Sequence, residues 1–361
     1  MFRVPYNDLY AALERAMQHL GLAGDRASLC AHLFAETTRD GVYTHGLDRF
    51  PRFAEMVANG CIDVNAEPTR VSGNPAGAAA MAGAVAMAGA AAMAGAAAMA
   101  IERWDGHLGP GNLNAHAAMR RTIALARQFG LGGVALANTN HWMRGGSYGW
   151  LAADAGLFAV CWTNTLANLP PWGASTPAVG NNPLVIAVPR PNGAHVVIDM
   201  AMSQFSYGAL SAYSARGQQL PVAGGYDESG NLTTDPAAIE ASKRALAIGY
   251  WKGSGLSLVL DMLAAMLSGG NATHDIPLES TRESGVSQMF LAIDPSSFAG
   301  APELDRIATG ILDSLRAATP IDPAKPVRYP GEQTLHLRQE NLRLGVPVNP
   351  EIWQKLQTLS F

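Results

Sequence analysis

The sequence predicts an α/β fold that is not of the doubly wound kind, with helices at both ends of the chain and a sheet between them. Three observations carry this reading. Helical punctuation fills residues 1–60 and returns after Gly331. Between these ends lie short apolar runs of strand length, with only one long amphipathic helix, Ser254 to Leu267, among them. The glycine fingerprint of the doubly wound fold is also missing. The nearest cluster, Gly249-Tyr250-Trp251-Lys252-Gly253-Ser254-Gly255, lacks the third glycine, although it runs into a helix N-terminus able to receive a phosphate.

Asn7 is placed to cap a first helix whose Leu9, Leu13, Met17 and Leu20 fall on one face, with Gly21 as its stop. A second helix follows Asp25, turns Leu29, Leu33 and Phe34 inward and ends near Gly41. A third carries His45 and Arg49 and ends near Gly60. Asn114 to Phe129 form a further helix leading into the compact strand Leu131–Ala137. That strand delivers Asn138 to Arg144 at its end, where α/β proteins place chemistry, and the polar run Asn138 to Ser147 is not expected in a core. Strands are expected at Leu157–Trp162, Leu184–Val188, Val196–Met200 and Met289–Ile293. The tail carries polar helices around Leu335–Arg338 and Pro350–Trp353, the second capped by Asn349. The domain reading is a helical lobe over 1–75, an Ala/Gly/Met insertion over 76–100, a central α/β domain over 101–330, and C-terminal helices over 331–361 that join the lobe.

A net charge of -4 without any lysine and arginine block excludes an electrostatic footprint for nucleic acid or anionic lipid, leaving a small molecule as the expected partner. Cys30, Cys61 and Cys161 are odd in number and widely separated, so buried thiols are expected rather than disulfides or a metal site. Met1 to Asp8 show no basic region followed by an apolar core, so no secretory signal is expected and the cytoplasm is the expected location.

From Ala76 to Ala100 the chain holds only Ala, Gly, Met and one Val, and Met81, Met87, Met93 and Met99 recur every six residues. The run is long enough for a membrane span. Its small residues supply little transfer energy, however, and no interfacial anchors bracket it. A six-residue step also turns each Met by about 240° round a helix, so no stripe forms. It reads as a repeat expansion in a surface loop.

The chemistry-bearing residues begin with His45 and Arg49. Four residues apart, they face one way if the segment is helical, and a titratable imidazole beside a guanidinium fork suits an oxo or hydroxy acid. Spacing alone also fits a solvated helix face, and His141 in its unusual polar run is what shifts the balance. His32, His107, His116, His195, His274 and His336 show no ligand spacing, so no metal is expected.

Four segments are specific enough to suggest a relationship: Gly41-Val42-Tyr43-Thr44-His45-Gly46, Asn140 to Trp150, Pro170-Pro171-Trp172-Gly173-Ala174, and Gly249 to Gly255. They resemble the malate/L-lactate dehydrogenase superfamily, almost end to end apart from the insertion. The resemblance implies a non-Rossmann NAD(P)-binding fold with a mixed, largely antiparallel central sheet and a helical lobe from both termini. It implies NAD as cofactor, NADH by family habit with NADPH open, a homodimer, and a small-molecule substrate. Trp142 and Arg144 favour a branch acting on a sugar acid, with Arg144 meeting hydroxyls.

Residue by residue, the resemblance assigns His45 as proton donor, Arg49 to the substrate carboxylate, and His141 as a second active-site histidine, with Asp199 the strand residue best placed to reach the site. His195, Val196, Val197, Ile198, Asp199, Met200 and Ala201 match a cofactor-binding strand, Trp251 and Lys252 a second contact, and Gly331, Glu332 and Gln333 a third. Thr44 stands where serine is usual, adding a methyl beside the substrate, and Glu332-Gln333 replaces a His-Glu pair.

Overall fold

The computed structural model describes residues 2–71 and 100–359, so all but Ala100 of the expected 76–100 loop lies outside the described residues. The chain opens with β1 (Arg3–Val4) and α1 (Tyr6–His19), which buries Leu9, Ala12, Leu13, Ala16 and Met17 in one stripe. Its cap is Pro5 rather than Asn7. The Pro5 carbonyl already accepts the amides of Asp8 and Leu9, each at 3.1 Å, so the helix starts earlier and Asn7 falls in its first turn. Next come α2 (Gly24–Arg39) and α3 (Phe50–Ala58), joined through edge-on contacts of Phe34 with Phe50 and Phe53 at 6.0 and 5.5 Å.

The sheet takes its strands from β2 (Thr69–Arg70), β3 (Ile101–Asp105), β4 (Leu131–Asn140), β5 (Phe158–Thr163), β6 (Leu184–Val188) and β7 (Val196–Met200). A short ribbon, β8 (Gly225–Tyr226) with β9 (Leu232–Thr233), precedes the long central strand β10 (Ser284–Ile293). The order is β2-β3-β4-β10-β5-β6-β7, and only β3 and β4 run parallel. The sheet is therefore mixed and largely antiparallel, as the resemblance implied.

Against it pack α4 (Gly111–Phe129), beginning three residues before the expected start, and α5 (Gly146–Asp154). Gly132 lets β4 close on α4: a Cβ there would lie 2.2 Å from the Thr122 carbonyl oxygen and 2.4 Å from the Ala126 nitrogen. The remaining helices are α6 (Tyr207–Ala215), α7 (Pro236–Ser242), α8 (Trp251–Ser268), α9 (Ala301–Arg316), α10 (Glu332–Leu344) and α11 (Pro350–Leu359), with β11 (Val346–Pro347) between the last two.

Both ends of the chain build one lobe. β1 pairs antiparallel with β11, and Val346, Val348 and Leu356 sit in the apolar cluster formed by α1, α2 and α3. Asn349 caps α11 as expected, its side-chain oxygen accepting the Glu351 amide at 2.9 Å. Cys30 and Cys161 are buried thiols, whereas Cys61 is half-buried.

Phe34 is fully buried among Phe50 and Phe53. Phe34→Ala is expected to cost about 3–5 kcal/mol in urea unfolding, and a loss under about 1 kcal/mol would contradict this packing.

Candidate active site

His45 and Arg49 do not share one helix. They sit on two successive 3-10 turns, Tyr43–His45 and Leu47–Arg49, separated at Gly46 and followed by α3. The break has a steric cause. Gly46 is pressed onto α2 so closely that a Cβ would lie 2.3 Å from the Thr38 hydroxyl oxygen, which accepts the Leu47 amide at 2.8 Å. Both side chains nonetheless line the same cavity.

The run from Asn140 to Arg144 is the second half of the site, and it is far more buried than its polarity suggests. Asn140 is buried because its amide nitrogen donates to the carbonyls of Leu108 and Gly109 at 2.7 and 3.1 Å. The next four side chains then part company. His141 enters the cavity, while Trp142, 1% exposed, joins the sheet-side core, its carbonyl accepting the Tyr148 hydroxyl at 2.6 Å. Met143, 6% exposed, joins the helical-lobe core at a left-handed φ of 63°, unusual for a bulky residue. Arg144, 5% exposed, donates to Asp40 at 2.8 Å, so the guanidinium expected to meet substrate hydroxyls has a protein carboxylate as partner while still lining the cavity.

His141 Nδ1 accepts the Met143 amide at 3.0 Å, which leaves the ring proton on Nε2. Its ring stacks on His45 with centroids 5.8 Å apart and planes 25° from parallel. His45 Nδ1 lies 3.0 Å from the Thr44 hydroxyl, and the extra methyl of Thr44 is accommodated beside Gly208, where a Cβ would meet it at 2.9 Å. Burial, assisted by the charges of Arg49 and Arg144, pushes His45 down to about 4. His141 is driven well below the ordinary histidine value by burial, then by Arg49 and His45.

The Arg49 guanidinium makes no hydrogen bond to any described residue; its ion-pair partner is Glu283 at 3.7 Å. Burial brings it down to about 10, with Arg52 adding to the effect. A largely enclosed guanidinium with its donors unspent is an anion site in waiting. Asp199 uses one oxygen to accept the Gly146 amide at 2.8 Å rather than to hold an imidazole. Its side chain opens onto the cavity, and the surrounding protein raises its carboxyl above the usual range, opposed by that amide and by Arg144.

Two adjoining chambers of about 760 and 250 Å³ share Thr44, His45, His141, Thr165, Asn181 and Ser206. Of the residues singled out in the sequence, Thr44, His45, Arg49, His141, Trp142, Arg144, Asp199 and Ala201 line these chambers. The remainder do not. His195 lies buried toward the other end of β7, with Nε2 2.8 Å from Asp154 and Nδ1 accepting the Arg190 amide. Val196, Val197, Ile198 and Met200 pair with β6. Gly331 packs against His195 and Val197, Glu332 pairs with Arg316 at 2.9 Å, and Gln333 accepts from Arg328. Trp251, 63% exposed, and Lys252 begin α8 outside both chambers.

The chambers suit an organic ligand larger than a simple oxo acid, since their combined room falls in the range of cofactor pockets and carboxamides and hydroxyls stand beside the imidazoles.

A sequence model described as malate/L-lactate dehydrogenase matches residues 4–103 and 96–357. The chain belongs to the malate/L-lactate dehydrogenase family. The family's nicotinamide chemistry makes it an oxidoreductase acting between hydroxyl and keto groups. It is 42% identical to the 2,3-diketo-L-gulonate reductase of Shigella boydii serotype 4, over 99% of this chain and 100% of that protein. Its fold matches malate dehydrogenase from Entamoeba histolytica, with a TM-score of 0.87 at 20% identity, over 99% of this chain and 97% of that one. It also matches delta1-piperideine-2-carboxylate reductase from Pseudomonas syringae pvar. tomato, with a TM-score of 0.82 at 25% identity, over 99% and 100%.

Sequence reasoning passed over Arg52 and Glu283. Arg52 carried a signal, three residues after Arg49, whereas Glu283 arrives from a turn more than two hundred residues away and carried none.

The depressed histidine has a consequence for stability. An unfolded histidine titrates near 6.5, so between that pH and about 4 the unfolded chain binds more protons at His45, and stability falls as pH falls through this window. His45→Gln is expected to make the drop in urea midpoint between roughly pH 7 and pH 5 shallower. An identical drop in both proteins would show that His45 titrates normally.

Proposed function

We propose that the protein reduces 2,3-diketo-L-gulonate to 3-dehydro-L-gulonate, with NADH as the preferred reductant. The observation that supports this most is the unspent Arg49 guanidinium beside the stacked pair His45 and His141 in one polar cavity. The nicotinamide, when bound, supplies the hydride. Asp199 and Ala201 border the cavity and are the part of the cofactor-binding strand nearest the reaction. By family resemblance, the rest of that strand with Trp251, Lys252 and Gly331 to Gln333 holds the remainder of the dinucleotide.

Arg49 takes the substrate carboxylate and so fixes which carbonyl faces the histidines. Burial and the nearby arginine charges hold His45 neutral. A carboxylate on Arg49 offsets one of those charges and so raises the proton affinity of the imidazole, which passes a proton to the C2 oxygen as that becomes an alcohol. The Nε2 proton of His141 is available to the same oxygen or to a neighbouring hydroxyl.

The same reading includes a homodimer. Beyond Trp251, α8 presents Leu258, Val259, Met262, Leu263 and Met266 to solvent, the last 74% exposed, an apolar helix face that a second copy would cover. Free Cys30, Cys61 and Cys161 suit a reducing cytoplasm. Among the described residues no helix is long and apolar enough to cross a membrane.

The deciding experiment follows NADH oxidation with 2,3-diketo-L-gulonate, pyruvate, oxaloacetate and a cyclic imine acid. Turnover on the first is expected, with His45→Ala lowering it about a hundredfold or more. Turnover confined to another acid reassigns the substrate, and full activity of the variant removes His45 as donor. Light scattering of Val259→Glu/Met266→Glu is expected to show a monomer where the parent is dimeric. A variant with the parent's mass would rule out this face.

A further inference from the structure

Glu283 is 5% exposed at the wall of the cavity, in the turn that leads into β10. Its Oε2 lies 3.3 Å from Arg52 and 3.7 Å from Arg49, and its Oε1 accepts the Leu166 amide at 3.4 Å. The turn is docked on α3. Arg52 donates to the Ser280 carbonyl, and the Asn59 amide to the Thr281 carbonyl at 3.0 Å. Glu283 is therefore a fixed internal anion between two arginines rather than a loose surface acid.

The consequence is a charge count. Two guanidiniums and one carboxylate leave a single positive charge at the clamp. Burying charge without a partner is costly, so the clamp is neutralised by one substrate carboxylate and strained by two. Beyond the clamp the cavity offers neutral hydrogen-bonding groups, including Thr165, Asn168, Asn181 and Tyr207, which suit hydroxyls. Lys243 and Glu240 also border it, opposite in charge; Lys243 is exposed to water, which screens it.

We propose that Glu283 is a specificity-determining residue that, by neutralising one of the two arginines, restricts the site to substrates bringing a single carboxylate. The inference rests on the reading of this cavity as an oxo-acid site. It is tested by calorimetric titration of the full-length protein, saturated with NAD+, with pyruvate and with oxomalonate, which replaces the pyruvate methyl by a second carboxylate. The parent is expected to bind pyruvate about tenfold more tightly or better, Glu283→Gln to shift the ratio toward oxomalonate by about tenfold, and Glu283→Gln/Arg52→Gln to restore it.

Because each comparison is a ratio within one protein, a loss of folded protein cancels. A ratio unmoved in Glu283→Gln, a double variant that does not return to the parent's ratio, or no saturable binding of either acid would overturn the proposal. Failure to reduce 2,3-diketo-L-gulonate, with the ratio shifting as expected, removes the named substrate and leaves the charge rule standing. Reduction of that substrate with an unmoved ratio removes the charge rule alone.

Discussion

A single buried carboxylate holds the candidate active site in register. Asp40, at the end of α2, accepts from Arg39 at 2.8 Å, from Arg144 at 2.8 Å, and from Arg338 at 2.9 and 2.6 Å. Burial works to raise its carboxyl, but the hydrogen bonds of Arg338 and the charge of Arg144 outweigh it and hold the group well below the usual range. Three segments far apart in sequence thus meet on one anion: the helix leading to His45, the loop carrying His141, and α10 near the C-terminus. Removing Asp40 would leave the buried Arg144 guanidinium without its carboxylate, so the carboxylate is the member on which the others depend.

The site lies at the seam that this cluster closes. The helical lobe supplies His45, Arg49 and Arg52, and the sheet supplies His141 and Asp199 from the ends of β4 and β7. The turn before β10 supplies Glu283. The lobe thus brings one imidazole and both guanidiniums, and the sheet brings the second imidazole and a carboxyl to the same cavity. The left-handed Met143 is where the seam is drawn tight: one peptide places an imidazole in the cavity, the next an indole in one core, and the next a thioether in the other.

What was legible in the sequence was local. The apolar runs of β5, β6 and β7 and the Asn349 cap declare themselves through period and side-chain type. The pairing of His45 with Arg49 was legible as a spacing but not as a conformation, because the Thr38 hydroxyl that breaks the segment at Gly46 belongs to a different helix. The run Asn138 to Ser147 looked like a surface loop since polarity usually means water, and here carbonyl groups and Asp40 take water's place. α5 gave no periodic signal because Ser147, Tyr148, Gly149 and Trp150 are buried on every side. Asp40 and Glu283 were invisible for a plainer reason: their partners lie across the fold, and one sequence does not record such distances.

The edge of the sheet has a bearing on how this chain grows. β2 and β3 are antiparallel neighbours, with Arg70 opposite Trp104, and the Val71 amide donates to the Arg103 carbonyl at 2.8 Å. The described residues on either side of the interval 72–99 thus lie along one edge of the sheet, at the far end from β7. The entropy of closing a flexible loop between two fixed points rises only with the logarithm of its length, by about 0.6 kcal/mol for each doubling. The pairing of Arg70 with Trp104 is therefore a hem in the fabric: it holds the two borders of the interval together, so the length of sequence between them weighs little on the rest of the sheet.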